Sequence, residues 1–205
     1  MPPRLHTPLT RRAFSLIELL VVVAILGLLS GILFSVLTHV RTMSAETQCA
    51  SNLRELSRMA SLQSMENGGW VPQARWYDDL RAARPNLRDY GLTEELIQCP
   101  ATELPLSYGI NINLVAGSSS GAQWGAGDVQ FWQRGRYKIA ELDPVHTLLF
   151  ADTFGTTTGY YVVNDLHADY RHSGKMQASF IDGHVEKLTA EDLTERGGLR
   201  NGIPN

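Results

Sequence analysis

The sequence predicts an α+β protein in which one long N-terminal helix packs on a small antiparallel β-sheet head. Three observations lead there. An unbroken apolar run from Phe14 to Leu37 holds a single charged residue, Glu18. Helical spacing continues past that run until Gly68-Gly69, a strong stop signal. Beyond it, short β-rich segments alternate with turn residues.

The apolar run comes first. It is about 24 residues long, roughly 36 Å as a helix, enough to cross a hydrocarbon core of about 30 Å. A cleavable secretory signal carries a shorter apolar region, about 7–15 residues, so a single membrane span is the better reading. Arg4, Arg11 and Arg12 precede the run with no acidic residue among them, and behind it Arg41 and Glu46 nearly cancel. The positive-inside rule therefore places the N-terminus in the cytoplasm and the rest outside. The whole chain has 205 residues, 18 Lys or Arg and 21 Asp or Glu, for a net charge of -3. That balance gives no global attraction to nucleic acid.

Two features interrupt the run. A carboxylate inside a span costs a few kcal/mol on insertion scales, so Glu18 suggests function. The competing reading has it snorkel to water at the cytoplasmic edge. Gly27, Gly31 and Ser35 recur every four residues and form a small-residue stripe that lets apolar helices approach closely; ordinary glycine usage in membrane helices is the alternative. No Pro occurs between Pro8 and Pro72. Val40, Met43, Ala50, Leu53, Leu56 and Ala60 keep helical spacing, which predicts an amphipathic continuation that packs on the head.

Arg11-Arg12-Ala13-Phe14-Ser15-Leu16-Ile17-Glu18-Leu19-Leu20 and the apolar residues after it resemble the type IV prepilin leader and cleavage/methylation segment. The family pattern is a basic leader, a small residue, then Phe-(Thr/Ser)-Leu-Ile-Glu-Leu. The resemblance implies that a prepilin peptidase cuts between Ala13 and Phe14 and methylates the new amine of Phe14. It also implies that Glu18 serves assembly. The family usually has Gly before the cut; Ala13, the next smallest residue, is the one departure. On this reading residues 1–13 are a cytoplasmic leader and 14–37 a transmembrane and filament-core helix. Residues 38–67 continue that helix into the head, and 68–205 are the periplasmic head. The physics agrees: cleavage puts a positive amine at the start of a buried helix, and Glu18 lies on the same face as Phe14.

In the head, Ser107–Asn111, Thr147–Ala151 and Tyr160–Val163 are strand candidates. Asp182-Gly183, between flanks of strand character, predicts a two-residue hairpin turn. His172, nine residues, then Asp182-Gly183 resembles the pilin-like subgroup named for its C-terminal H-X9-DG motif. That subgroup is similar to the major pseudopilins of type II secretion. Cys49 followed by Ser51-Asn52-Leu53-Arg54, the pair Cys99-Pro100, and Ser107-Tyr108-Gly109 resemble it too. The two resemblances imply a homo-oligomeric helical filament rooted in a bacterial inner membrane. Its partners would be prepilin peptidase, other pseudopilins and an inner-membrane secretion platform, with membrane lipid before assembly and no nucleic acid.

Cys49 and Cys99, the two cysteines, leave two readings open: a disulfide tying the helix to the head, or two buried free thiols. His167, Asp169, His172, Asp182 and His184 fit no standard zinc or calcium spacing. No metal is assigned, although some major pseudopilins bind calcium in the head. No nucleophile elbow, phosphate loop or dinucleotide fingerprint appears, so no enzyme activity is expected. The expected function is that of a structural filament subunit, most closely a type II secretion pseudopilin. The alternatives are a type IV pilus subunit for adhesion or DNA uptake and, from another class, a membrane-anchored periplasmic hydrolase.

Overall fold

The computed structural model describes residues 15–73, 76–77, 86–115, 136–154, 162–163 and 167–204. They form two compact units divided between Thr42 and Met43. The expected leader, the junction of Ala13 and Phe14, and the strand candidates Tyr160 and Tyr161 lie outside the described residues.

Helix α1 spans Leu16–Glu66, 51 residues. At its start the Ser15 N–H donates to Glu18 Oε2 over 2.9 Å, one half of a capping box. At its end the Gly69 N–H donates to Ser64 O over 2.8 Å. Gly68 and Gly69 hold φ of 66° and 86°, a left-handed closure that glycine adopts at little cost.

In the first unit every described residue, from Ser15 to Thr42, is exposed. The Thr38 and Thr42 hydroxyls donate to the carbonyls of Ser35 and Thr38. These polar groups are satisfied inside the helix itself.

In the second unit the buried stripe of α1 comprises Cys49, Leu53, Leu56, Met59 and Ala60, with Asn52, Ser57, Gln63 and Ser64 beside them. Val40 and Met43, expected on this stripe, are 52% and 55% exposed. Helical spacing marks a face; it does not say how far along the helix that face is covered.

The sheet has strands β1 (Tyr108–Asn111), β2 (Leu148–Asp152), β3 (Val162–Val163), β4 (Met176–Phe180) and β5 (Val185–Leu188), in the order β3-β1-β2-β4-β5. Pairs β1–β2, β2–β4 and β4–β5 are antiparallel. The four strands β1, β2, β4 and β5 form the expected small antiparallel sheet, and the two-residue edge strand β3 adds to it parallel to β1. The chain reverses direction after β2 and is placed beyond β1, so β3 opposes β2 and necessarily follows β1.

Each face of the sheet has its own cover. Leu53 and Leu56 of α1 share one apolar cluster with Tyr108, Ile110 and Phe150, and Trp76 meets Phe150 edge to face at 5.1 Å. Met176, Ala178 and Phe180 of β4 belong to a second cluster with Ala151, Leu193 and Leu199. Leu193 comes from α3 (Ala190–Glu195), which Thr189 and Asp192 start with a reciprocal capping box. The other short helix, α2 (Ile112–Val115), is a single turn after β1. Strand β4 alternates with period two, so Gln177 and Ser179 face away from Met176, Ala178 and Phe180.

The β4–β5 hairpin lies where Asp182-Gly183 predicts it, but its turn differs. Phe180 and His184 bracket a three-residue loop: the Phe180 N–H donates to His184 O, and the Gly183 N–H to Phe180 O. Among the described non-glycine residues Ser173 alone has positive φ, whereas Gly183 has φ of 89°. A type I turn closed by one left-handed residue needs glycine once. Asp182 therefore stays at negative φ, and its Oδ1 accepts the His184 N–H over 3.0 Å.

A Cβ added at Gly183 would meet nothing within 4 Å, so substitution there acts through backbone strain alone. Left-handed backbone costs an L-residue about 1–2 kcal/mol. Gly183→Val is expected to lower the melting temperature of the head by circular dichroism while leaving membrane insertion intact; Gly183→Asn is expected to lower it less. Equal melting of Gly183→Val and the parent chain would refute the turn geometry.

Candidate functional site

Two groups of residues stand out, one in each unit. In the first, Glu18 occupies the third helical position of α1 and accepts the Ser15 N–H. The helix N-terminus carries partial positive charge, which favours a carboxylate there. Nothing lies within 4 Å of a Cβ built at Gly27 or Gly31, and Ser35 is exposed on the same helix. Phe14, the expected site of processing, lies outside the described residues.

The second group sits inside the head. Cys49 of α1 and Cys99, which follows the 3-10 turn Glu95–Ile97, form a disulfide with a Cα–Cα distance of 5.2 Å. Asn52 holds the same loop, its Nδ2 donating to Gln98 O over 3.0 Å. On a chain-entropy account, closing a loop of about 50 residues stabilises the fold by about 4 kcal/mol.

His172 lies against this disulfide, its Nε2 3.5 Å from Cys99 Sγ. It is placed by a turn that sequence reading passed over. His172 and Lys175 exchange backbone hydrogen bonds of 3.0 and 3.1 Å. Between them Ser173 and Gly174 hold φ of 57° and 79°, the two-residue geometry with both central residues left-handed. The Ser-Gly pair was the available signal.

Asp152, at the end of β2, completes the group. Its Oδ2 accepts the Gln177 backbone N–H over 2.8 Å and faces His172 Nε2 at 3.3 Å. Both Asp152 and His172 are buried. Burial pushes the Asp152 carboxyl above the usual carboxylate range, against the pull of the His172 ring, the Gln177 amide and the Arg171 guanidinium. Burial, and then the Asp152 charge, likewise push the Tyr108 hydroxyl up. Arg171 Nη2 donates to Thr153 O and pairs with Asp169 Oδ2 at 2.7 Å. Asp152 Oδ1 and Arg171 Nε and Nη1 have no hydrogen-bond partner among the described residues.

The histidines and aspartates of the C-terminal region do not converge on one point. His167 packs edge to face on Phe154 at 5.9 Å, and Asp169 pairs with Arg171. Asp182 pairs with His184 on the hairpin, and the His184 ring stacks on Phe180 at 4.2 Å. In the H-X9-DG pattern, His172 therefore ends beside the disulfide, and Asp182-Gly183 shapes a turn. Asp152 went unremarked in the sequence because only the β2–β4 pairing brings it to His172.

A clamp between helix and sheet borders this group. Gln177 Nε2 donates to the Glu46 carbonyl over 2.9 Å, and Lys187 Nζ bonds to Glu46 Oε2. The Lys187 ammonium holds the Glu46 carboxyl below its ordinary range.

The family model of the prokaryotic N-terminal methylation motif matches residues 9–34. No curated protein matches the chain, and no solved structure does. Residues 9–34 thus carry a prokaryotic N-terminal methylation motif, consistent with a pilin- or pseudopilin-type N-terminus, on a chain whose architecture is a long helix packed on a small sheet.

A carboxyl depressed by folding contributes stability that is present above its unfolded value, near pH 4, and is lost as pH falls through the folded value. Lys187→Met is expected to remove that contribution from Glu46, at most about 1 kcal/mol for a partly exposed pair. The melting temperatures of variant and parent should differ near neutrality and converge in acid. A difference that stays constant from neutral pH to well below pH 4 (on the order of the ordinary carboxylate range) would remove Glu46 as its source.

Proposed function

We propose that the chain is the structural subunit of a pilus-like filament, most closely a type II secretion pseudopilin. Prepilin peptidase cuts it between Ala13 and Phe14 and methylates the Phe14 amine. The apolar half of α1 roots it in the membrane and then joins the filament core, and the head decorates the filament. The observation that carries this reading is a coincidence of position. The methylation motif, residues 9–34, falls on the segment in which Leu16, Leu19, Leu20, Leu28, Ile32 and Phe34 are all exposed.

Exposed apolar side chains of this size release about 1.5–3 kcal/mol each when fully covered. Lipid can cover them in the unassembled subunit and neighbouring helices in the filament, with the stripe of Gly27, Gly31 and Ser35 setting how closely those helices approach. Glu18 has a part in both states. In the free subunit its carboxylate accepts the Ser15 N–H. In the filament it turns to the buried amine of a neighbour's Phe14, since a buried cation needs a partner. A structural role also suits the head, where the cysteines, Asp152 and His172 are buried in the core and not arrayed along an open cleft.

Three measurements test this. Mass spectrometry of the mature protein should find N-methylated Phe14 as its first residue; retention of residues 1–13 would make the chain a simple anchor. Glu18→Ala should leave a cleaved, folded, membrane-resident protein that yields few or no filaments on shearing, and normal yield would defeat the charge pairing. Loss of Glu18→Ala from the membrane pool would instead assign Glu18 to helix capping or insertion. Deletion of the chain should abolish export of a secreted enzyme; loss of adhesion or DNA uptake with secretion intact would reassign it to a type IV pilus.

A further inference from the structure

The head contains one concentration of metal-binding side chains that filament assembly does not use. Cys49 Sγ, Cys99 Sγ and His172 Nε2 lie within 4.8 Å of one another, and all three residues are buried. His172 Nε2 is 3.5 Å from Cys99 Sγ and 3.3 Å from Asp152 Oδ2. Two sulfurs, an imidazole nitrogen and a carboxylate oxygen are donors of the kinds zinc takes in tetrahedral sites. A tetrahedron with metal–ligand bonds of about 2.0–2.3 Å has edges of roughly 3.3–3.8 Å. The nitrogen–sulfur and nitrogen–oxygen separations already have that length.

The geometry points to a second way of closing this site: with the disulfide reduced, Cys49, Cys99 and His172, completed by Asp152, bind one zinc ion. The two sulfurs must part from bonding to van der Waals contact, and the Asp152 carboxylate, held beside His172 Nε2, must close on them. The donors come from α1, the segment after Ile97, the end of β2 and the His172–Lys175 turn. Zinc would thus join the segments that the disulfide joins, and fasten β2 to them as well. Two thiolates and a carboxylate exceed the charge of the ion by one. The buried Arg171 guanidinium, whose field already reaches Asp152, opposes that excess.

The chemistry balances. Reduction adds two electrons and two protons across the Cys49–Cys99 bond. A trialkylphosphine supplies the electrons and leaves as its oxide, taking oxygen from water. Zinc then displaces the two thiol protons, which pass to buffer, and binds the Nε2 lone pair of the neutral imidazole. Disulfide and metal exclude one another, so the redox state selects which of them holds helix and sheet together.

The test uses the full chain in detergent, reduced with phosphine and titrated first with cobalt(II), then with zinc. One cobalt per reduced chain is expected, with thiolate-to-cobalt charge-transfer absorption and the visible bands of tetrahedral coordination, both erased by zinc. Zinc should also raise the melting temperature of the reduced chain. Removing even an outer-shell partner typically weakens metal binding by about 10–100-fold, so His172→Ala should weaken it by at least about 100-fold. Its oxidised form, melting as a folded head, serves as the folding control. Asp152→Asn should weaken binding by at least about tenfold on the same scale. Absent charge-transfer bands, equal affinity in His172→Ala, or a reduced chain that stays unfolded with and without zinc would each overturn the proposal.

Discussion

A helix surface made of leucine, isoleucine and valine has to be covered by something other than water, and this requirement organises the chain. From Ser15 to Thr42 the described residues are exposed, and the run is apolar enough to cross a membrane. At about 25 cal/mol per Å² of apolar surface, leaving such a segment in water is far more costly than any single interaction in the head is favourable. The cover must come from lipid or from other helices. Sequence patterning limits the choice further, because Glu18 is tolerated only where donors or a cation reach it, and here the Ser15 N–H does so.

The head answers a different problem, that of a small sheet needing both faces covered. The second half of α1 covers one face, and α3 with the C-terminal turn covers the other. On the helix side β4 presents Gln177 instead of an apolar residue, and its amide reaches the Glu46 carbonyl. That bond fixes the register of helix against strand, which apolar contacts alone leave loose. The disulfide and the Asp152–His172 contact lie on the same side of the head, so polar and covalent links together specify how α1 seats on the sheet.

Much of this was legible in the sequence, and the limits follow from which interactions are local. The extent of α1 was readable because an apolar run, the absence of Pro and Gly68-Gly69 are local signals. Strands β1 and β2 were readable from their composition. The position of the β4–β5 hairpin was readable but its turn type was not, because Asp-Gly suits both a two-residue and a three-residue loop. The covered length of α1 was overestimated at Val40 and Met43, since spacing carries no information about the partner. Asp152 was invisible for a related reason. Its importance exists only once β2 and β4 pair, and nothing near it in the chain announces that pairing.

The disulfide also has a mechanical consequence. Tension or thrust carried along α1 meets the polar clamp at Glu46 and then, three residues on, the covalent link at Cys49, which passes it to Cys99 and onward toward β1. Residues 50–98 are bypassed: they lie inside the closed loop and bear little of that force. The apolar contacts of α1 beyond Cys49, which would otherwise peel open one at a time, are shielded behind a link that does not creep. In the filament proposed above, a chain built this way would be pushed or pulled by its helix without its head coming loose, and the weakest point of the load path would move from the inside of the chain to the surfaces between copies.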